Sequence, residues 1–145
     1  MWRKKSKGLI AFLTRVIVAL IAITALYMVL FTIIINSTLR HVDLHVFGEW
    51  EPVFYLLLLT IIPFLICVAF GIGLVLRFLG EDFKMAVFAS GCAGLLHFWI
   101  ATSEFTSIFN KAGIIYLLHI PVTVFVGVST YYIVSKLTSN AMENK

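Results

Sequence analysis

The sequence predicts an all-α membrane protein: four transmembrane helices arranged as two antiparallel hairpins, with both termini on the cytoplasmic side. Three observations predict it. The first is a set of four long apolar runs, at about 16–35, 53–76, 85–102 and 112–135. About 20 helical residues cross a hydrocarbon core of about 30 Å, and each run is near or above that length. The second is the sorting of charge. With a cytoplasmic N-terminus, Arg3, Lys4, Lys5, Lys7, Arg15, Arg77, Lys84, Lys136 and Lys145 all fall inside, and only Arg40 and Lys111 fall outside. That asymmetry is the positive-inside pattern. The third is what remains between the runs. The longest piece outside them is an external loop at about 36–52, too short for a folded soluble domain, so the chain reads as one polytopic membrane domain.

Composition excludes several function classes. Of the 145 residues, 61% are hydrophobic and 12% charged, and the mean hydropathy is +1.05. A soluble catalytic module and a nucleic-acid-binding module are both unexpected. The net charge of +4 belongs to the cytoplasmic flanks, where it sets topology and attracts anionic lipid. Cys67 and Cys92 stand alone in separate apolar runs, with no Cys-x-x-Cys pair, and read as small buried apolar residues. The basic Met1–Lys7 segment resembles the start of a signal peptide. The apolar run after it is too long for one and ends without a small-x-small cleavage pattern, so it reads as a retained first span.

The first span begins at Arg15, whose long side chain can snorkel to the headgroups. Within it, Thr24 and Tyr27 are the polar handles. The external loop alternates polar and apolar residues from Arg40 to Val46, with His41, Asp43 and His45 on one side of the alternation. A short strand or an amphipathic surface stretch is expected there. Gly48 ends it. Glu49, Trp50, Glu51 and Pro52 then suit a helix start: Pro fits the first turn, acidic groups fit the positive end of the dipole, and Trp50 and Tyr55 fit the interface.

Pro63 is expected to kink the second span or open its backbone hydrogen bonding. Ala69, Gly71 and Gly73 form a small-residue patch, and Ala69-x-x-x-Gly73 suits close helix approach. A tight turn from Phe78 to Lys84 leads into the third span. There Ala86, Ser90, Ala93, His97, Ala101 and Glu104 fall on one stripe at 100° per residue, small or polar throughout. Val87, Phe88, Leu95, Leu96, Phe98 and Trp99 lie on the other faces. The stripe should pack against neighbours and the bulky side should meet lipid. The fourth span carries His119 and Pro121 in its outer half, a Thr123-x-x-x-Gly127 packing face, and Tyr131 and Tyr132 at the inner interface. Its tail from Ser135 is expected to fray.

His97 and His119 lie almost equally far from a connection near residue 107 or 108. In a hairpin they should therefore sit at one depth, about 8–10 Å below the outer boundary at 1.5 Å per residue. Ionisable residues at such depth raise a functional-site hypothesis. Two chemistries suit them. Imidazoles bind transition metals, and His41, Asp43 and His45 could do so in the loop. Alternatively Glu104, His97 and His119 could carry protons or cations, although Ser90 and Thr123 are the only obvious steps onward. The structural alternative is interhelical hydrogen bonding for the span histidines and a solvated face for the loop ones. No Ser/His/Asp or Cys/His nucleophile pattern is visible, so no enzymatic activity is expected.

Function is expected to follow from lateral helix contacts in the cell (inner) membrane. The role would be that of a small accessory or binding protein, such as an immunity, exclusion or complex-subunit role. The alternative is an oligomeric ion, proton or metal transporter or channel using His97, His119 and Glu104, with Pro63 and Pro121 supplying broken helices. Expected partners are the lipid bilayer and another membrane protein or a second copy, with no nucleic acid. No cofactor is expected beyond a possible transition metal.

Overall fold

A computed structural model of the chain describes the backbone of residues 2–41, 48, 51, 54, 56–104 and 106–143. It describes the side chains of 8–34, 36–37, 48, 51, 54, 57–100 and 117–141. Every regular element among the described residues is helical: α1 (Trp2–His41), a π-helical stretch (Leu56–Ile61) running into α2 (Ile62–Leu79), α3 (Phe83–Glu104) and α4 (Thr106–Glu143). Four helical segments are long and apolar enough to cross a membrane: Gly8–Ile34 in α1, Leu57–Leu79 through the π stretch and α2, Phe83–Ile100 in α3 and Leu117–Ala141 in α4.

Helices α1, α3 and α4 are longer than the apolar runs that announce them. Helix α1 continues through residues expected in the external loop, so Arg40 and His41 are helical and not part of a strand. No Gly or Pro interrupts the chain between Gly8 and Gly48, and the Ser37 hydroxyl donates to the Ile33 carbonyl at 2.9 Å. Residues 42–47 lie outside the described residues. The polar tail also differs from expectation, being helical to Glu143. Its Lys, Leu, Ala, Met and Glu are good helix formers. At the third connection, where a longer loop was expected, α3 is helical to Glu104 and α4 from Thr106, and Phe105 lies outside the described residues.

The two span prolines act differently. Pro63 lies in the first turn of α2, and the helix directly before it is widened into π geometry. The proline ring crowds the carbonyl four residues back, which favours such a local opening. Pro121 is exposed and α4 runs through it without a break. A broken helix is therefore not present there.

Hydroxyls inside apolar spans need partners, because lipid supplies none. In α1, Thr14, Thr24 and Thr32 donate to carbonyls one turn back at 2.8–2.9 Å. These polar residues can face lipid without a bare donor.

The core lies between all four helices. Helix α1 presents Val16, Ala19 and Ile23 at helical spacing, α2 buries Phe64, Cys67, Val68, Ile72, Val75 and Leu76, and α3 buries Met85, Ala86, Ala89 and Ala93. Contacts between α3 and α4 pair rising numbers with falling ones. Phe83 meets Tyr131, Ser90 meets Gly127, and His97 meets His119. The first two helices do the same through Ile23 with Gly71 and Tyr27 with Phe64.

Asp82 organises the turn between α2 and α3. Its carboxylate accepts from the Lys84 and Met85 backbone N–H groups at 3.0 and 3.2 Å, capping α3. It also lies 3.8 Å from the Arg15 guanidinium of α1. Next to it, the Ser135 hydroxyl of α4 donates to Glu81 at 2.7 Å. Gly80, with φ of 98°, makes the reversal possible.

Candidate functional site

The polar centre of the bundle is a histidine pair. His97 on α3 and His119 on α4 are both buried, with His97 Nδ1 3.3 Å from His119 Nε2. The other ring nitrogen, His97 Nε2, lies 3.4 Å from the Tyr27 hydroxyl of α1. These are long hydrogen bonds. Two neutral imidazoles satisfy the chain in either direction. Tyr27 can donate to His97 Nε2 while His97 Nδ1–H donates to His119, or both donors reverse.

Helix α2 supplies the floor. Phe64 stacks on the His97 ring at 4.0 Å with an interplanar angle of 11°. It also meets Tyr27 edge-on at 5.7 Å and His119 at 6.0 Å. All four helices thus contribute one ring to a single cluster: Tyr27, Phe64, His97 and His119.

Close backbone approach makes the pairing possible. A Cβ on Gly127 would lie 2.6 Å from Ser90 Cβ and Oγ, and one on Gly94 would lie 3.4 Å from Thr123. The α3–α4 seam therefore has little width at these levels. The hydroxyls along it are satisfied within their own helices. Ser90 donates to the Ala86 carbonyl at 2.7 Å and Thr123 to the His119 carbonyl at 2.7 Å.

The residues singled out in the sequence separate into three groups. Ala86, Ser90, Ala93, Thr123 and Gly127 are buried at the helix contacts. Ala69 and Gly73 are only half-buried and border an open groove between α2 and α4. The close approach on α2 is made by Gly71, where a Cβ would lie 2.6 Å from Ile23 Cγ1 and 3.1 Å from its backbone nitrogen. The spacing pattern alone cannot choose between Gly71 and Gly73, since both belong to the same small patch on faces 200° apart. Ala101 and Glu104 are helical, but their side chains lie outside the described set, as does that of His41. Asp43 and His45 lie outside the described residues entirely. Among the described residues no group of three potential ligands gathers to hold a metal ion.

Sequence reasoning pairs the two histidines at one depth but does not find Tyr27 or Phe64 beside them. Tyr27 carried a signal, being the only phenol in the first run. Phe64 carried none, since α2 is apolar on every side.

Comparison with protein-family models, with curated proteins and with solved structures finds no match for this chain.

Proposed function

We propose that this chain is a multi-pass component of a cell (inner) membrane, folded as two antiparallel hairpins with both termini cytoplasmic. It acts as an accessory or binding protein through lateral contacts with another membrane protein or a second copy. No catalytic role is proposed. One observation carries the reading: every buried polar side chain among the described residues already has a partner. His97 and His119 bond to one another, Ser90 and Thr123 bond to their own helices, and Thr60 is likewise engaged. An interior with its polar groups satisfied internally suits packing and helix specificity.

The outward faces carry the remaining surface. Phe70, Phe88, Trp99 and Phe125 are all exposed there. The orientation follows from charge: Arg15, Arg77, Lys84 and Lys136 lie toward the end that carries the α2–α3 turn. A transport role would require His97 to meet water or ions, and Phe64 covers one face of its ring.

The test is affinity purification of a C-terminally tagged copy in mild detergent, with co-purifying proteins identified and metal content measured on the same sample. A stoichiometric membrane partner, or a stable homo-oligomer without metal, supports the reading. A preparation with near-stoichiometric zinc or copper, lost in His97→Ala, overturns it in favour of a metal-handling role.

A further inference from the structure

We propose that the groove between α2 and α4 is a binding site for an anionic phospholipid, with one acyl chain along the groove and the phosphate on Arg77. The groove has a volume of about 590 Å³, within the range of small-molecule sites. Its walls are Phe70 and Leu74 on α2 and Ile133 and Leu137 on α4, with Gly73 at its floor. The two threonines that border it are closed to a ligand. Thr130 donates to the Val126 carbonyl at 2.8 Å and Thr138 to the Val134 carbonyl at 2.6 Å, so they add no bare polar group.

Length and charge select the occupant. From Ala69 to Arg77 the groove follows α2 for about 12 Å. Its α4 side runs on past Ser135, which bonds Glu81 of the α2–α3 turn, so its last residues lie at headgroup level. One leaflet of a core of about 30 Å is about 15 Å deep. Above Arg77 the groove is thus close to one leaflet deep, and Arg77 stands in the last turn of α2, at the level where a headgroup would lie. Arg77 is exposed and makes no ion pair among the described residues, whereas Arg15 on the same end is paired with Asp82. No acidic side chain borders the groove. A guanidinium with its five donors suits a phosphate, and its stem can lie along the apolar wall. Arg77 thus lacks a counter-charge among the described residues, and a lipid carrying net negative charge supplies one, which an apolar partner helix would not.

The full-length chain, purified in mild detergent, would be reconstituted into vesicles of equal parts phosphatidylglycerol and phosphatidylethanolamine. It would then be gently re-extracted and its retained lipids counted by native mass spectrometry. The expected result is retention of phosphatidylglycerol over phosphatidylethanolamine by about fivefold, the ratio that about 1 kcal/mol per basic residue near an anionic surface implies. Arg77→Gln should remove that preference and Arg77→Lys should keep most of it. Gly73→Leu, which fills the floor, should lower retention of both lipids. Equal retention by the unmodified chain overturns the proposal without need of any variant. So does an equal loss in Lys84→Gln, which would mean a diffuse surface field. A photo-crosslinking phenylalanine analogue placed at Leu137 should give an adduct of lipid mass, and an adduct of protein mass instead would assign the groove to a partner helix. The vesicles carry the same lipids in both leaflets, so the outcome does not depend on topology or on the accessory role.

Discussion

Replacing Gly127 with alanine tests whether the α3–α4 seam is as narrow as the structure has it. The new methyl would lie 2.6 Å from both Cβ and Oγ of Ser90 and 3.1 Å from Ile72 Cδ1. Carbon atoms prefer about 3.5–4.0 Å, so the seam must open by roughly 1 Å. Ile72 can yield by turning its terminal methyl. Ser90 cannot, because its Cβ is fixed to the backbone and its Oγ is held by the Ala86 and Val87 carbonyls at 2.7 and 3.0 Å. Overpacking of this kind costs about 1–3 kcal/mol. Alanine regains at most about 1 kcal/mol in helix propensity. Opening the seam also stretches the His97–His119 contact, already 3.3 Å, and such interhelical bonds are worth about 0.6 kcal/mol on average. The net expectation is a loss of about 1–2 kcal/mol. It would be measured by titrating the detergent-solubilised protein with dodecyl sulfate while following helicity and Trp fluorescence. Ser90→Gly in the same chain removes both clashing atoms, so the double variant should lose less than the sum of the two single losses. A Gly127→Ala protein as stable as the parent, or a loss unchanged in the Ser90→Gly background, would refute the geometry.

Four further outcomes are expected. Gly73→Ala should be neutral or slightly stabilising, because its nearest neighbour, Thr130 Cγ2, is an ordinary 3.5 Å away; the same titration checks it. Asp82→Ala should cost about 1–2 kcal/mol through loss of the α3 cap, whereas Arg15→Gln should cost under about 1 kcal/mol because that pair is long and part-exposed; thermal unfolding of the two variants side by side decides the order. Tyr27→Phe should cost about 0.6 kcal/mol and His97→Leu clearly more, since His97 serves two partners; equal losses would mean that the chain of bonds does not run through His97. A C-terminal green fluorescent protein fusion should fluoresce and a C-terminal alkaline phosphatase fusion should be inactive, and the reverse pattern would overturn the cytoplasmic assignment of the tail.

The four long apolar helices were legible because a span is recognised by length and apolarity, both of which are one-dimensional. The ends were less so. Helix α1 runs six residues past Ile35 and α4 eight past Ser135, because a helix already formed in the span continues into polar residues until a Gly or Pro stops it, and no Gly or Pro follows in either extension. The stripe of α3 was legible at Ala86, Ser90, Ala93 and His97 because its small residues contrast with bulky ones on the same helix. On α2 that contrast fails. Small Ala69, Gly71 and Gly73 alternate with Phe70 and Ile72 among apolar neighbours, and only the position of Ile23 on α1 singles out Gly71. Asp82 shows the same limit: an acidic residue in a short turn is ordinary, and its capping role emerges only with the start of α3 at Phe83.

The histidine centre bears differently on the two functional readings once its contacts are weighed. Opening it to water would break two long hydrogen bonds, worth about 1–2 kcal/mol together, and the Phe64 stacking, worth about 0.5–1.5 kcal/mol. The sum is roughly 2–3 kcal/mol, which leaves an open form populated at a few per cent or less. A carrier could overcome that only with a ligand that binds the open form preferentially, and such a ligand would need the imidazoles themselves. Leucine at position 97 cannot replace them. A transport protein carrying His97→Leu would therefore lose activity even when still folded. An accessory protein carrying the same change would keep its partner for as long as the bundle holds, because the outward faces are untouched. Measuring stability and partner retention on one His97→Leu sample separates the two: a folded variant that has lost its partner would place the histidines in the working surface and refute a purely internal role.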